Sequence, residues 1–187
     1  MRIATIKIKG LTPYSQSKAL VSEREKNETH EDFDKRIWPE HIHSDAQGNV
    51  VIPAVCLGPG MATAASYLGK GGDLAKKGNA TWAENFRCGL AIATSPTIGH
   101  HRDEAVEEPV FCHSNGKRAP GPRVWRRFPI FHDWSATLEI HILDDTIPED
   151  IFVKVLEAFG LFGGIGRFRP QNGGHLGRFT IESCKIK

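Results

Sequence analysis

The tightest constraint on this sequence lies in its last third. A strand pattern, a helix pattern, a glycine-rich run and a second strand pattern follow one another there almost without a gap. Ser135 to Leu143 alternates, with Leu138, Ile140 and Ile142 on one side and Thr137, Glu139 and His141 on the other. A period of two reads as a strand with one apolar and one polar face. Thr146-Ile147-Pro148-Glu149 has capping-box spacing and an early proline, which together mark a helix start. Ile151, Phe152, Val155, Leu156 and Phe159 then form the stripe of a helix packed on a sheet, closed by Gly160. Between Gly163 and Phe179, glycines bracket Arg167, Arg169 and Arg178, and Arg178 to Lys187 reads as the last strand.

The upstream segments complete the order. Ile3 to Lys9 is β-branched and partly alternating, and Val50 to Pro53 is a short apolar strand. Pro59 to Leu68 reads as a helix of small residues ended by Gly69 to Gly72, and Asp73 to Asn79 as a charged connection. Phe86 to Ala93 reads as a second core strand. The expected architecture is an α+β, ferredoxin-like (RRM-like) β-α-β-β-α-β core in one domain spanning residues 1–187. Two large insertions interrupt it, at about 10–49 and 94–134.

The first insertion is polar, with a short helix expected around Glu31 to Ile37 and its return pinned by Trp38 and His41-Ile42-His43. The second begins acidic at Asp103, Glu104, Glu107 and Glu108. It turns basic at Lys117, Arg118, Arg123, Arg126 and Arg127, with no acid between Ser114 and His132. Prolines, Gly116 and Gly121 punctuate it, as in a long hairpin or arm.

Bulk properties narrow the function classes. The 187 residues, 40% apolar and 25% charged, suit a soluble globular domain. A net charge of only +2 means that any nucleic-acid surface is local. Cys56, Cys88, Cys112 and Cys184 are scattered, without a C-x-x-C pair. Zinc-ribbon and thioredoxin spacings are therefore absent, and reduced, mostly buried thiols in a cytoplasmic protein are expected. No apolar run approaches the roughly 18 residues of a membrane span. The strand pattern begins at once, so no signal peptide is expected.

The glycine run offers a phosphate cradle, with backbone amides at Gly163, Gly164 and Gly166, guanidiniums on Arg167, Arg169 and Arg178, and His175 among them. The bland alternative is a flexible connection with solvated arginines. The run follows a helix and precedes a strand, the reverse of a dinucleotide fingerprint, and it lacks the Gly-Lys-Ser/Thr of a Walker loop. No cofactor is therefore expected. In the basic arm, Lys117, Arg118, Arg123, Arg126 and Arg127 can grip a phosphate backbone, while Trp125, Phe128 and Phe131 stack or wedge bases or fold onto the core. His41 and His43 would share a face on a strand, but no closing Cys/His spacing completes a metal site. His100, His101 and His175 are the candidates for an acid–base role, with no second group beside them, so no catalytic residue is assigned. Asp144-Asp145 and Glu107-Glu108 read as capping or surface charges.

The helix, the Gly-Ile-Gly-Arg-Phe-Arg-Pro…Gly-Gly-His-Leu-Gly-Arg-Phe loop and the final strand resemble the carboxy-terminal glycine-rich motif of the RAMP superfamily, the RNA-binding proteins of CRISPR systems. Val50-Val51-Ile52-Pro53-Ala54 entering a helix resembles that superfamily's isoleucine-proline segment. The two insertions resemble those of effector backbone subunits, which elaborate one such domain with a protruding thumb. The likeness covers roughly half the chain. The chain is compact beside those subunits, which suits a prophage- or virus-encoded relative. The resemblance implies non-catalytic binding of single-stranded nucleic acid, RNA in preference to DNA. It also implies homo-oligomers or other subunits of a nucleoprotein assembly as partners. A metal-independent endoribonuclease and a protein–protein module that mimics or caps a CRISPR backbone are the rival readings.

Overall fold

The computed structural model describes residues 1–69, 74, 81–113 and 122–187. Lys117, Arg118, Gly116, Gly121 and all of the Asp73–Asn79 connection except Leu74 lie outside the described residues. In chain order the elements are β1 (Arg2–Gly10), β2 (Tyr14–Ser15), α1 (His30–Ile37), β3 (Asn49–Val51), α2 (Leu57–Gly69), α3 (Ala83–Cys88) and β4 (Leu90–Ala91). There follow β5 (Thr97–His101), β6 (Val106–His113), β7 (Arg123–Phe131), β8 (Ser135–Ile142), α4 (Glu149–Ala158) and β9 (Phe179–Ile186).

The main sheet is antiparallel, in the order β4-β8-β1-β9. The alternation decides its faces. Ala4, Ile6 and Ile8 of β1 and Leu138, Ile140 and Ile142 of β8 are buried, while Thr5, Lys7, Lys9, Thr137 and Glu139 are exposed. Against the buried side lie α2 and α4, sealing Met61, Phe86, Phe152, Val155, Leu156, Phe159 and Phe179. Each large side chain buried this way contributes about 1.5–3 kcal/mol. The polar side of β1, β8 and β9 carries no Phe, Tyr or Trp.

Several expectations need correction. Phe86 to Ala93 is not a strand: Phe86 lies within the short helix α3, and only Leu90–Ala91 joins the sheet. Phe86, fully buried, faces Phe152. Gly89 ends the helix where a Cβ would lie 2.4 Å from the Asn85 carbonyl. The capping box is also absent. Thr146 donates its amide and hydroxyl to Asp144 at 2.9 and 2.6 Å, and Pro148 caps α4 without a side-chain bond. His41 and His43 do not share a strand, because Trp38–His41 is a 3-10 turn. The cysteines are free, but none is fully buried: Cys56 and Cys88 are exposed.

The two insertions are joined to each other. β2 pairs with β7 in a β2-β7-β6 sheet, and β3 pairs with β5. The expected arm is the hairpin β6–β7, in register from Val106 opposite Ile130 to His113 opposite Arg123. Among the described residues no helix is long and apolar enough to cross a membrane.

Candidate nucleic-acid interface

The glycine run is folded and docked. After α4 the helix widens into a π-turn over Phe159–Gly163, and the chain then doubles back on itself. Ile165 donates to the Gly177 carbonyl at 3.0 Å, Leu176 to Phe168 at 3.0 Å and Gly174 to Arg169 at 3.1 Å. The double turn is fastened to β2 and the residues before it, with Gly177 donating to Pro13 and Arg167 to Ser15, both at 2.8 Å. Gly177 has φ +71°, and a Cβ there would fall 1.9 Å from the Ile165 carbonyl, so only glycine fits. Gly166, at φ +76°, lies against Tyr14 and the Ser15 carbonyl in the same way.

This folding takes up four of the loop's glycine amides. Gly164, Gly173, Gly174 and Gly177 all donate to carbonyls of the protein, and Gly163 and Gly164 are buried. The loop's side chains meet the hairpin across a groove of about 1060 Å³. The hairpin contributes Glu108, Val110, Cys112, His113, Arg126 and Phe128, and the loop contributes Arg167, Phe168, Asn172 and His175. Ser17, Leu20 and His41 of the first insertion close the third side.

At the centre is a stack. His41 lies parallel to Phe128, with ring centres 4.9 Å apart. The Arg167 guanidinium carbon sits 2.9 Å from the Phe128 ring centre and 4.0 Å from that of Phe168. Phe168 reaches this position with φ +53°, a left-handed backbone that costs a phenylalanine about 1–3 kcal/mol. Burial pulls the Arg167 pKa down to about 10, partly opposed by a hydrogen bond to Cys112 and the charge of Glu108. No carboxylate lies within ion-pair distance of it among the described residues, and its Nη1 is buried without a hydrogen-bond partner. The His41 pKa is lowered, first by burial, while the Lys18 carbonyl at 2.9 Å and Asp34 favour its protonated form.

The other expected residues divide. Arg126 lines the groove but holds buried Asp34 at 3.0 Å. Arg127, on the opposite face of β7, is paired with Glu107 and lies 3.9 Å from Glu31. Arg123 is exposed at the turn end of the hairpin, opposite His113, and does not line the groove. Arg178 donates Nε to the Leu161 carbonyl at 3.0 Å and also faces elsewhere. His175 lines the groove, and Arg169 lines a smaller pocket beside it. His100 bonds Glu104 at 2.7 Å, His101 contacts Asp103 and the Gln47 carbonyl, and neither reaches the groove. Among the described residues no three His, Cys, Asp or Glu side chains gather as a metal site.

Sequence reasoning misses His41, Cys112, His113 and Phe168 as groove residues. Strand alternation does put Val110, Cys112, Arg126 and Phe128 on one side of the hairpin, so that part is recoverable.

No protein-family model matches this chain, and no curated protein matches it. Its fold has a counterpart. It is similar to a chain of the Type III-B Cmr-beta assembly, solved by cryo-electron microscopy bound to cognate target RNA, with a TM-score of 0.55 and 17% identity. The match covers 99% of this chain and 60% of that one, so this chain spans about three-fifths of its counterpart's length. At that identity the likeness is one of fold.

Proposed function

We propose that this protein binds single-stranded nucleic acid, RNA in preference to DNA, through the groove between the hairpin and the glycine loop, without cleaving it. The observation that carries the reading is the groove's central cation. Arg167 is partly desolvated, held against two aromatic rings, and has no carboxylate within ion-pair distance among the described residues. Such a charge favours an anion, and the adjoining rings favour a base. The polar face of the main sheet lacks the aromatic residues of an RRM stacking platform, so the groove is the better candidate.

Two further points support the reading. The sheet order β4-β8-β1-β9 with α2 and α4 on one side supports reading the chain as a ferredoxin-like core that carries two insertions. The counterpart of similar fold comes from a structure of the Type III-B Cmr-beta bound to cognate target RNA. On this reading the chain is a compact RAMP-like relative, cytosolic, that stacks along the strand with copies of itself or with other subunits.

Anisotropy with a single-stranded RNA of about 30 nucleotides tests it. Binding should weaken with salt along a log–log slope of about −0.7 per phosphate contact. Affinity that is absent, or indifferent to salt, overturns the reading and favours the protein–protein alternative. One observation favours a second reading: His41, His113 and His175 all line the groove, and histidines can act as general acid and base on RNA. Cutting of labelled RNA in EDTA, lost in His113→Ala or His175→Ala, would make the protein a metal-independent endoribonuclease.

A further inference from the structure

Beside the groove, on the other side of Arg167, lies a second pocket of about 210 Å³. We infer that it is a seat for a terminal phosphomonoester, the end of the strand whose body lies in the groove. The inference rests on the binding reading above and adds a preference for a phosphorylated end.

Four features of the pocket carry it. Arg167, Arg169, His43 and Ser17 line the pocket, and no Asp or Glu does. The groove by contrast includes Glu108. The positive charge of Lys18 lies close enough to His43 to help burial lower that residue's pKa. A pocket of this charge selects a multiply charged oxyanion, and guanidiniums suit one that offers several oxygens.

The second feature is size. The volume equals about seven waters at their share of liquid volume and lies below the roughly 300–1,000 Å³ of pockets for drug-sized ligands. It takes a phosphate and part of its sugar, and a strand cannot thread it. Third, the inner wall is closed by core: Tyr14, Gln16 and Ile52 are all almost wholly buried. A chain that enters from the groove therefore stops there.

The fourth feature is that the pocket is preorganised. Gln16 uses its amide group fully, donating to the Tyr14 hydroxyl at 3.0 Å and the Val51 carbonyl at 2.7 Å and accepting the His43 amide at 2.7 Å. These bonds fix the segment that carries His43. On the opposite side Gly166 is pressed onto Tyr14, where a Cβ would lie 2.5 Å from the ring. That close approach fixes the backbone that leads into Arg167 and Arg169. Ser17 and Arg167 line both spaces, so the pocket continues the groove.

The experiment uses the whole protein and short RNAs of one sequence. One pair, labelled at the 3′ end, carries a 5′-hydroxyl or a 5′-monophosphate. A second pair, labelled at the 5′ end, carries a 3′-hydroxyl or a 3′-phosphate. The quantity read is the affinity ratio of phosphate-ended to hydroxyl-ended RNA. The expected result is a ratio of about ten or more at one end, because a charge-assisted contact is worth roughly 1.5–3 kcal/mol. Inorganic phosphate should compete the ratio away. His43→Ala and, independently, Arg169→Ala should each bring it toward one, with melting curves checking that both fold. Ratios of one at both ends, with salt-dependent binding intact, overturn the pocket and leave the groove reading standing. No binding by any of the RNAs overturns both.

Discussion

The hairpin and the glycine loop are both rich in arginine, yet they handle the charge in opposite ways. On the hairpin, Arg126 is neutralised by Asp34 of α1, and Arg127 by Glu107 of its own partner strand. On the loop, Arg167 and Arg169 have no carboxylate within ion-pair distance among the described residues, and Arg167 is stacked and partly desolvated. Arg126 ties the two insertions together, whereas Arg167 and Arg169 have no such carboxylate partner among the described residues. A run of arginines in a sequence therefore marks positive charge without marking where that charge remains uncompensated.

The sharpest way to break this contrast is Arg126→Ala. It would leave Asp34, only 4% exposed, as a buried carboxylate without its guanidinium. Removing one partner of a buried pair costs about 3–5 kcal/mol. The arginine side is about a third exposed, so a loss near the lower end, roughly 3 kcal/mol, is expected in urea unfolding. If the loss were small, the pair would not be holding α1 to the hairpin.

Arg167→Met tests the other half. Its burial opposes the charge, so the unfolding free energy should change by no more than about 2 kcal/mol, the size of cation–π contacts at a desolvated site. RNA affinity should fall about ten- to a hundredfold. A variant that unfolds without a specific loss of binding would make Arg167 structural, like Arg126.

Acid provides a smaller effect with a defined sign. The folded pKa of His41 lies below the ordinary 6.5. Between those two values the unfolded chain binds more protons, so the stability is complete above about 6.5 and declines as pH falls through the folded pKa. Arg126 and Arg167 oppose protonation, while Asp34 and the Lys18 carbonyl favour it. His43 shifts in the same direction, mainly by burial. Melting temperature should therefore drop between pH 7.5 and 5.5, and His41→Phe, which retains a ring over Phe128, should flatten part of the drop. An unchanged slope would remove His41 from the account. The smallest effect belongs to the polar sheet face: Lys7→Glu should shift RNA affinity by no more than about twofold in anisotropy, since Lys7 lies outside the groove.

Much of the core is legible from local pattern. β1, β8, α4 and β9 follow the period of two or the helical stripe that burial imposes, and the hairpin follows from its punctuation. α3 does not, because a short apolar run fits either period, and the burial of Phe86 against Phe152 decides it. The pairing of β2 with β7 leaves little trace, since only Tyr14 and Ser15 take part. The Asp34–Arg126 bond joins residues 92 positions apart, and nothing local marks Asp34 among the insertion's acids. Arg167 and Arg169 stand out as candidates, but which arginines keep their charge uncompensated depends on those distant partners. The pairing of the Gly177 and Arg167 amides depends in the same way on the docking of the loop to Pro13 and Ser15.

The place of β1 also has a consequence for the making of the protein. β1 is synthesised before both of its neighbours and lies between them, with β8 along one side and β9 along the other. The closure at its end is very long-range: the Arg178 amide reaches the Thr12 hydroxyl across 166 positions. On a ribosome, the edge of β1 that β9 covers stays open until nearly all of this sequence has emerged. That edge carries Ala4, Ile6 and Ile8 beside unpaired backbone groups, the composition that recruits other strands. Nascent chains stopped before Phe179 should thus be the aggregation-prone species, and completion of β9 the step that ends the hazard.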